Sequence, residues 1–203
     1  MANEECDWKF IPPHAPHFEG LWKAAVKSIK YHLKRTLGSQ VATYEELCTL
    51  LAEIEACLNS RPLCTLSDDP FTQTYLSPGH FLIGEPITQL PSGDYVNVKP
   101  HSISRWQQYQ QQLQHFWRKW STDYIQGLQQ RQRWQTTTLN LQLGDLVLVK
   151  DDNTTPIQWP TAVITDIHPG KDNSVHVVSL QTPKGTFKRP ITKICPLPRV
   201  IKD

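Results

Sequence analysis

Residues 139–198 read LNLQLGDLVLVKDDNTTPIQWPTAVITDIHPGKDNSVHVVSLQTPKGTFKRPITKICPLP. Leu146, Leu148 and Lys150 alternate with Val147 and Val149, the period of two of a strand that buries one face. Further β-rich runs are Ala162 to Ile167, Val175 to Leu180 and Gly185 to Lys188. Turn residues separate them at His168-Pro169-Gly170-Lys171-Asp172-Asn173 and at Pro183-Lys184-Gly185. About five short strands in this space predict a small SH3-like β-barrel over residues 139–199.

Ahead of this segment the period is 3.6. A long helix is predicted from about Ser102 to Trp134, within a segment spanning 101–135. Trp106, Tyr109, Leu113, Phe116, Trp117, Trp120, Tyr124 and Leu128 follow one stripe of it, and glutamines fill much of the rest. Two helices are expected earlier. In the first, Leu21, Trp22, Ala25, Ile29, Leu33 and Leu37 recur from Gly20 until Gly38 stops the run. The second opens on a Thr43–Glu46 capping box and runs to about Asn59, before Arg61-Pro62. Both helices lie in the segment 1–61. Residues 62–100 read as an irregular, proline-rich connector whose apolar run, His80 to Gly84, is expected to pack against neighbouring helices. The fold class is α+β: a helical half, a long linking helix and a small β-domain.

Hydrophobic residues make up 38% of the 203, enough for a packed core, and the formal net charge is only +2. Charge is uneven, however. Arg105, Arg118, Lys119, Arg131 and Arg133 stand against the single acid Asp123 between His101 and Gln135. The cysteines, at 6, 48, 57, 64 and 195, are odd in number and form no Cys-x-x-Cys pair, so neither a disulfide framework nor a zinc site is expected. The start, MANEECDW, has no apolar run, and no stretch approaches a membrane span. The expectation is a soluble, intracellular protein, the nucleus included.

Two collinear stretches resemble a known family: WKFIPPHAPHFEGLWKAAVKSIKYHLKRTLG with TYEELCTLLAEIEACLNSRPL, and the β-rich segment quoted above. Both are similar to the end of the integrase of Pao/BEL-class retrotransposons, as are LSPGHFLIGEP and SRWQQYQQQLQHFWRKW between them. The resemblance implies that residues 1–61 correspond to the last helices of an RNase-H-like catalytic core, and residues 139–199 to a DNA-binding β-barrel.

It also implies a missing chemistry. Such integrases hold two divalent ions with three carboxylates, and hard cations need oxygen ligands. The family's Glu falls in a Gly-Leu-Trp-Glu stretch, where this chain has Gly20-Leu21-Trp22-Lys23. A protonated lysine cannot ligate a metal and repels it. The resemblance places the two Asp ligands upstream of Met1, and Glu19, one turn before Lys23, has no partner carboxylates. No catalytic residue, no metal site and no cofactor are therefore expected. Lys23 itself reads either as drift in a solvent-facing position or as a basic contact for DNA.

Candidate nucleic-acid contacts follow from charge and spacing. Lys23, Lys27, Lys30 and Lys34 advance by three or four and form one stripe, suited to a phosphate backbone or simply to a solvated face. The Trp-rich helix could stack on unpaired bases, but it reads better as a core stripe packed on the first two helices or on a second copy. Arg118, Lys119, Arg131 and Arg133 lie wholly or partly off that stripe. In PKGTFKRPITK, a hairpin turning at Gly185 is expected to display Lys184, Lys188 and Arg189 together, with Lys193 nearby. Trp159 could stack on a base or fill one end of the barrel. A methyl-lysine cage would find only Trp159 and Phe187 here. His14-x-x-His17 lacks a cysteine pair to complete a zinc site, Asn153-Thr154-Thr155 is a surface loop, and Asp68-Asp69-Pro70 is a turn.

The expected function is non-catalytic DNA binding without sequence preference, with DNA as partner and no membrane or small-molecule substrate. The alternatives are a structural module forming homo-oligomers or integrase multimers, and an incomplete integrase needing its catalytic half in trans.

Overall fold

The computed structural model describes residues 20–38, 42–66, 74–129, 141–151, 154–170 and 175–199. His14, His17, Glu19, Asp68, Asp69, Arg131, Arg133 and Asn153 lie outside them. The chain divides into two compact units, Met1–Gln40 and Val41–Asp203. The two early helices thus fall in different units, where the sequence reading groups them.

In the first unit, helix α1 (Gly20–Leu37) ends as its sequence demands. Gly38 adopts φ 56 and donates its N–H to the Lys34 carbonyl at 3.2 Å, a left-handed cap.

In the second unit, helix α2 (Tyr44–Asn59) opens on the expected capping box. Thr43 N–H donates to Glu46 Oε2 at 2.7 Å, and Glu46 N–H to Thr43 Oγ1 at 3.4 Å. The connector is less irregular than expected. It contains a two-residue antiparallel ladder, β1 (Cys64–Thr65) with β2 (Tyr75–Leu76), and a six-residue helix, α3 (Pro78–Ile83). The apolar run does not pack inward: Phe81 is 73% exposed, Leu82 64% and Ile83 59%. It is Gly79 that turns toward the protein, where a Cβ would meet Ile87 Cγ1 at 2.8 Å.

Helix α4 (Arg105–Leu128) starts three residues after the predicted Ser102, and residues 130–134 of the predicted span lie outside the described ones. A one-turn 3-10 helix (Pro100–Ser102) precedes it, and Ser104 then caps the helix through a second box with Gln107. Leu113, Phe116, Trp117, Trp120 and Ile125 are buried, whereas Trp106 is 57% exposed. The stripe packs against α2, whose Leu50, Ile54 and Cys57 are buried, as expected for this one of the two early helices.

Five strands follow: β3 (Leu146–Val149), β4 (Thr161–Pro169), β5 (Val175–Thr182), β6 (Gly185–Pro190) and β7 (Ile194–Pro196). All pairs are antiparallel, and the order is β6-β5-β4-β3-β7. Val147, Ala162, Ile164, Val178, Leu180 and Ile194 form one core. A register slip between Ile164 and Asp166 keeps Ile164 and Ile167, three residues apart, on the same face, opposite Leu180 and Val178. Leu146 and Leu148 point the other way and are also buried, so β3 is covered on both faces.

Trp159 joins sheet and helices. It is 7% exposed, meets Trp117, Trp120 and Tyr124 edge-on at 4.8, 5.8 and 5.4 Å between centroids, and donates Nε1–H to Ser60 Oγ at 3.1 Å. Trp117 Nε1 donates to Thr154 Oγ1, and Gln129 Nε2 to the Ile194 carbonyl.

Glu46 has a second task. Arg105 grips its carboxylate through Nε and through Nη2, the latter at 2.8 Å, tying the start of α4 to the start of α2. The hydrogen bonds from Arg105, then Tyr109 and Thr43, hold its carboxyl well below the usual range. A depressed carboxylate stabilises the fold above its unfolded pKa, about 4.3, and that contribution fades as pH falls below it. Glu46→Gln is therefore expected to melt lower than the parent at neutral pH, with the gap closing toward pH ~3. Parallel melts at the two pH values check it, and a gap independent of pH would refute it.

Candidate nucleic-acid interface

Helix α1 brings its cations together as the spacing requires. Lys23, Lys27, Lys30 and Lys34 are all exposed, and the first three border a cavity of about 370 Å³ with Val26. Beside them the Arg35 guanidinium lies 4.2 Å from the centre of the half-exposed Tyr31 ring. Sequence reasoning passes over this pair, although its i, i+4 spacing was there to be read. Lys34 and Arg35 also sit in the last turn, where the helix dipole favours positive charge.

The hairpin of β5 and β6 is built differently from its expectation. Its turn is held by Thr182 Oγ1, which donates to the Gly185 carbonyl at 2.9 Å and accepts from Lys184 N–H at 3.2 Å. Gly185 sits at φ 123, open only to glycine without strain. Lys184, Lys188, Arg189 and Lys193 are all exposed. Lys188 and Arg189 do not share one display, because neighbours on a strand point to opposite faces. Arg189 stands across from Val178, on the face of Phe187, whose ring centre is 5.8 Å from the guanidinium. Lys188 stands across from Ser179, on the face that also carries Asp166. There His168 Nε2 lies 2.8 Å from Ser179 Oγ, and its Nδ1 3.8 Å from Asp166 Oδ2, so Lys188 shares its surface with an acid. Lys193 follows on a 3-10 turn, where its carbonyl accepts from Lys150 N–H at 2.8 Å. Lys150 is thereby a neighbour that only the β3–β7 pairing reveals.

On α4, Arg118 is half-buried and Lys119 exposed. Their charge is felt by His115, whose pKa is lowered first by burial and then by Lys119 and Arg118. Trp159 has no free face for a base, since its ring is spent on the aromatic cluster beneath the sheet. The base-stacking reading of the Trp stripe fails for the same reason at Trp117 and Trp120.

Residues 104–197 match a family described only as a family of unknown function (DUF5641). The match covers just under half of the chain, and it begins at the cap of α4 and ends after β7. Helix and sheet are therefore matched as one piece, in keeping with the aromatic cluster that joins them. No curated protein and no solved structure matches the chain. Among the described residues no three His, Cys, Asp or Glu side chains gather where they could hold a metal ion, and no helix is long and apolar enough to cross a membrane.

Proposed function

We propose that this chain is a non-catalytic, DNA-binding segment of Pao/BEL-type integrase ancestry, gripping the duplex backbone without sequence preference. The observation that carries the reading is the exposed ammonium stripe of α1, Lys23, Lys27, Lys30 and Lys34, flanked by the Tyr31–Arg35 pair. Phosphate contacts of this kind give affinity but carry no sequence information. The strand order supports the ancestry: the first strand lies between the second and the last, and a 3-10 turn precedes the last strand, the arrangement of small SH3-like barrels. Lys23 in place of the expected glutamate argues against metal-dependent strand transfer by this chain.

Anisotropy of a labelled duplex across a salt series tests the proposal. Four phosphate contacts predict a slope of log K on log salt of about −3.6, at about −0.9 each. Reversing the four lysines of α1 to glutamate should abolish that dependence. The same reversal at Lys184, Lys188, Arg189 and Lys193 should weaken binding less, since Lys188 and Arg189 stand on opposite faces of β6. Absence of salt-sensitive binding would sink the DNA reading. It would then favour an interaction module, for which the exposed Phe81, Leu82 and Ile83 of α3 speak independently.

A further inference from the structure

A cavity of about 720 Å³ opens between α2, the connector at residues 88–93 and the start of α4. That volume lies within the range of ordinary ligand sites, roughly 300–1,000 Å³. Thr49, Ala52, Glu53 and Ala56 recur at helical spacing, so one stripe of α2 makes a wall, and Trp106 and Gln110, one turn apart, make another. The connector is held in place from α4. Gln111 Nε2 donates to the Tyr95 and Val98 carbonyls, while Gln114 accepts from Tyr95 N–H and donates to the Gly93 carbonyl.

Glu53 is the sole charged residue among the described ones that line the space. Its Oε1 accepts from Gln110 Nε2 at 3.2 Å, and its buried Oε2 has no hydrogen-bond partner among the described residues. Burial pushes the carboxyl pKa up, as expected for an anion lacking a compensating cation. Trp106, alone among the tryptophans of the α4 stripe, stays exposed, and it stands at the mouth. Ile157, which also lines the space, is held at φ 65, a conformation rare for a β-branched residue and of a kind that clusters at functional sites.

We propose that this cavity receives the guanidinium of an arginine side chain from a partner polypeptide, paired with the Glu53 carboxylate and stacked on Trp106. A lone anion with an idle oxygen calls for a cation with several N–H donors, and guanidinium engages a carboxylate through two parallel bonds. Tryptophan is the aromatic ring that attracts a cation best. Guanidinium is more weakly hydrated than ammonium, so it enters a half-enclosed space at lower cost than lysine would. Ala52, Ala56 and Leu90 suit its methylene stem, and Leu90, 88% exposed, offers contact to the flanking peptide. The site lies wholly outside α1 and stands independently of DNA binding.

The test titrates the full ¹⁵N-labelled chain with the peptide acetyl-Gly-Ser-Arg-Ser-Gly-amide and follows the Trp106 indole N–H. Its lysine and citrulline counterparts, and methylguanidinium alone, are run beside it. The arginine peptide is expected to shift that resonance saturably and to bind at least tenfold tighter than the other three. Glu53→Gln should weaken it tenfold or more, and Trp106→Ala several-fold. No saturable shift up to ~10 mM peptide, equal binding by citrulline or lysine, or undiminished affinity in Glu53→Gln overturns the proposal. Methylguanidinium binding as tightly as the peptide overturns the polypeptide partner. Should Glu53→Gln fail to fold, Trp106→Ala at an exposed rim still decides: unchanged affinity there refutes the site.

Discussion

Replacing Trp159 by alanine is expected to destabilise the Val41–Asp203 unit by about 3–5 kcal/mol, the usual cost of deleting a buried aromatic ring. The ring touches Trp117, Trp120 and Tyr124, so its loss leaves a cavity bounded by three rigid rings that cannot collapse into it. Because Trp159 follows β3 while its partners stand on α4, the damage falls on the joint between sheet and helices, not on either alone. Trp159→Phe keeps most of the apolar surface and loses the indole N–H bond to Ser60, whose hydroxyl still donates to the Cys57 carbonyl at 2.7 Å. Its cost should stay near 1 kcal/mol, that of a single hydrogen bond. Urea unfolding of the three proteins, followed by far-ultraviolet dichroism and tryptophan fluorescence, measures both numbers. A loss below about 1 kcal/mol for the alanine variant, or a sheet that keeps its own unchanged transition, would mean that the aromatic cluster does not couple the two layers.

That joint was half legible. The apolar stripe of α4 and the alternation from Leu146 onward each announce a buried face, because period alone sorts core from solvent. What lies opposite each face is set by contacts far apart in the chain, and one sequence carries no signal for them. Trp159 therefore reads equally well as a stacking platform or as a barrel plug, until Ser60 and Trp117 are seen around it. The run His80 to Gly84 misleads for a related reason: five residues are too few for a period, so composition implies burial while the backbone turns Gly79 inward instead. The start of α4 escapes because a 3-10 turn at Pro100–Ser102 imitates a helix entry, and because glutamine, not glutamate, completes the true capping box at Ser104.

The candidate sites differ in the same way. The stripe of α1 is local, and i, i+4 spacing suffices to find it. The hairpin cations are adjacent in sequence but divided by the strand's pleat, so counting charges overstates their cooperation. Glu53 gives no signal at all. It is one of several acids on α2, and only the fold shows that Glu46 is satisfied by Arg105 while Glu53 lines a cavity and keeps one buried oxygen without a partner among the described residues.

The glutamines of α4 carry the second large effect. Gln110, Gln111, Gln112 and Gln114 are all buried, where composition suggests a solvated face. Gln111 and Gln114 alone make four bonds to the backbone between Gly93 and Val98, a segment with no ladder of its own to satisfy it. At about 0.5–1.5 kcal/mol each, four such bonds amount to about 2–6 kcal/mol, part of which leucine regains by burying its apolar surface. The double variant Gln111→Leu/Gln114→Leu should accordingly lose about 2–4 kcal/mol in denaturant unfolding. The Tyr95 amide, whose acceptor is Gln114, should exchange its hydrogen much faster at once, before any global unfolding. Unchanged exchange at Tyr95 together with parental stability would show that the connector holds itself. If it does not, α4 sets the shape of the Glu53 cavity through amides rather than apolar contacts, and the double variant should lose arginine-peptide binding while Trp106 and Glu53 remain in place.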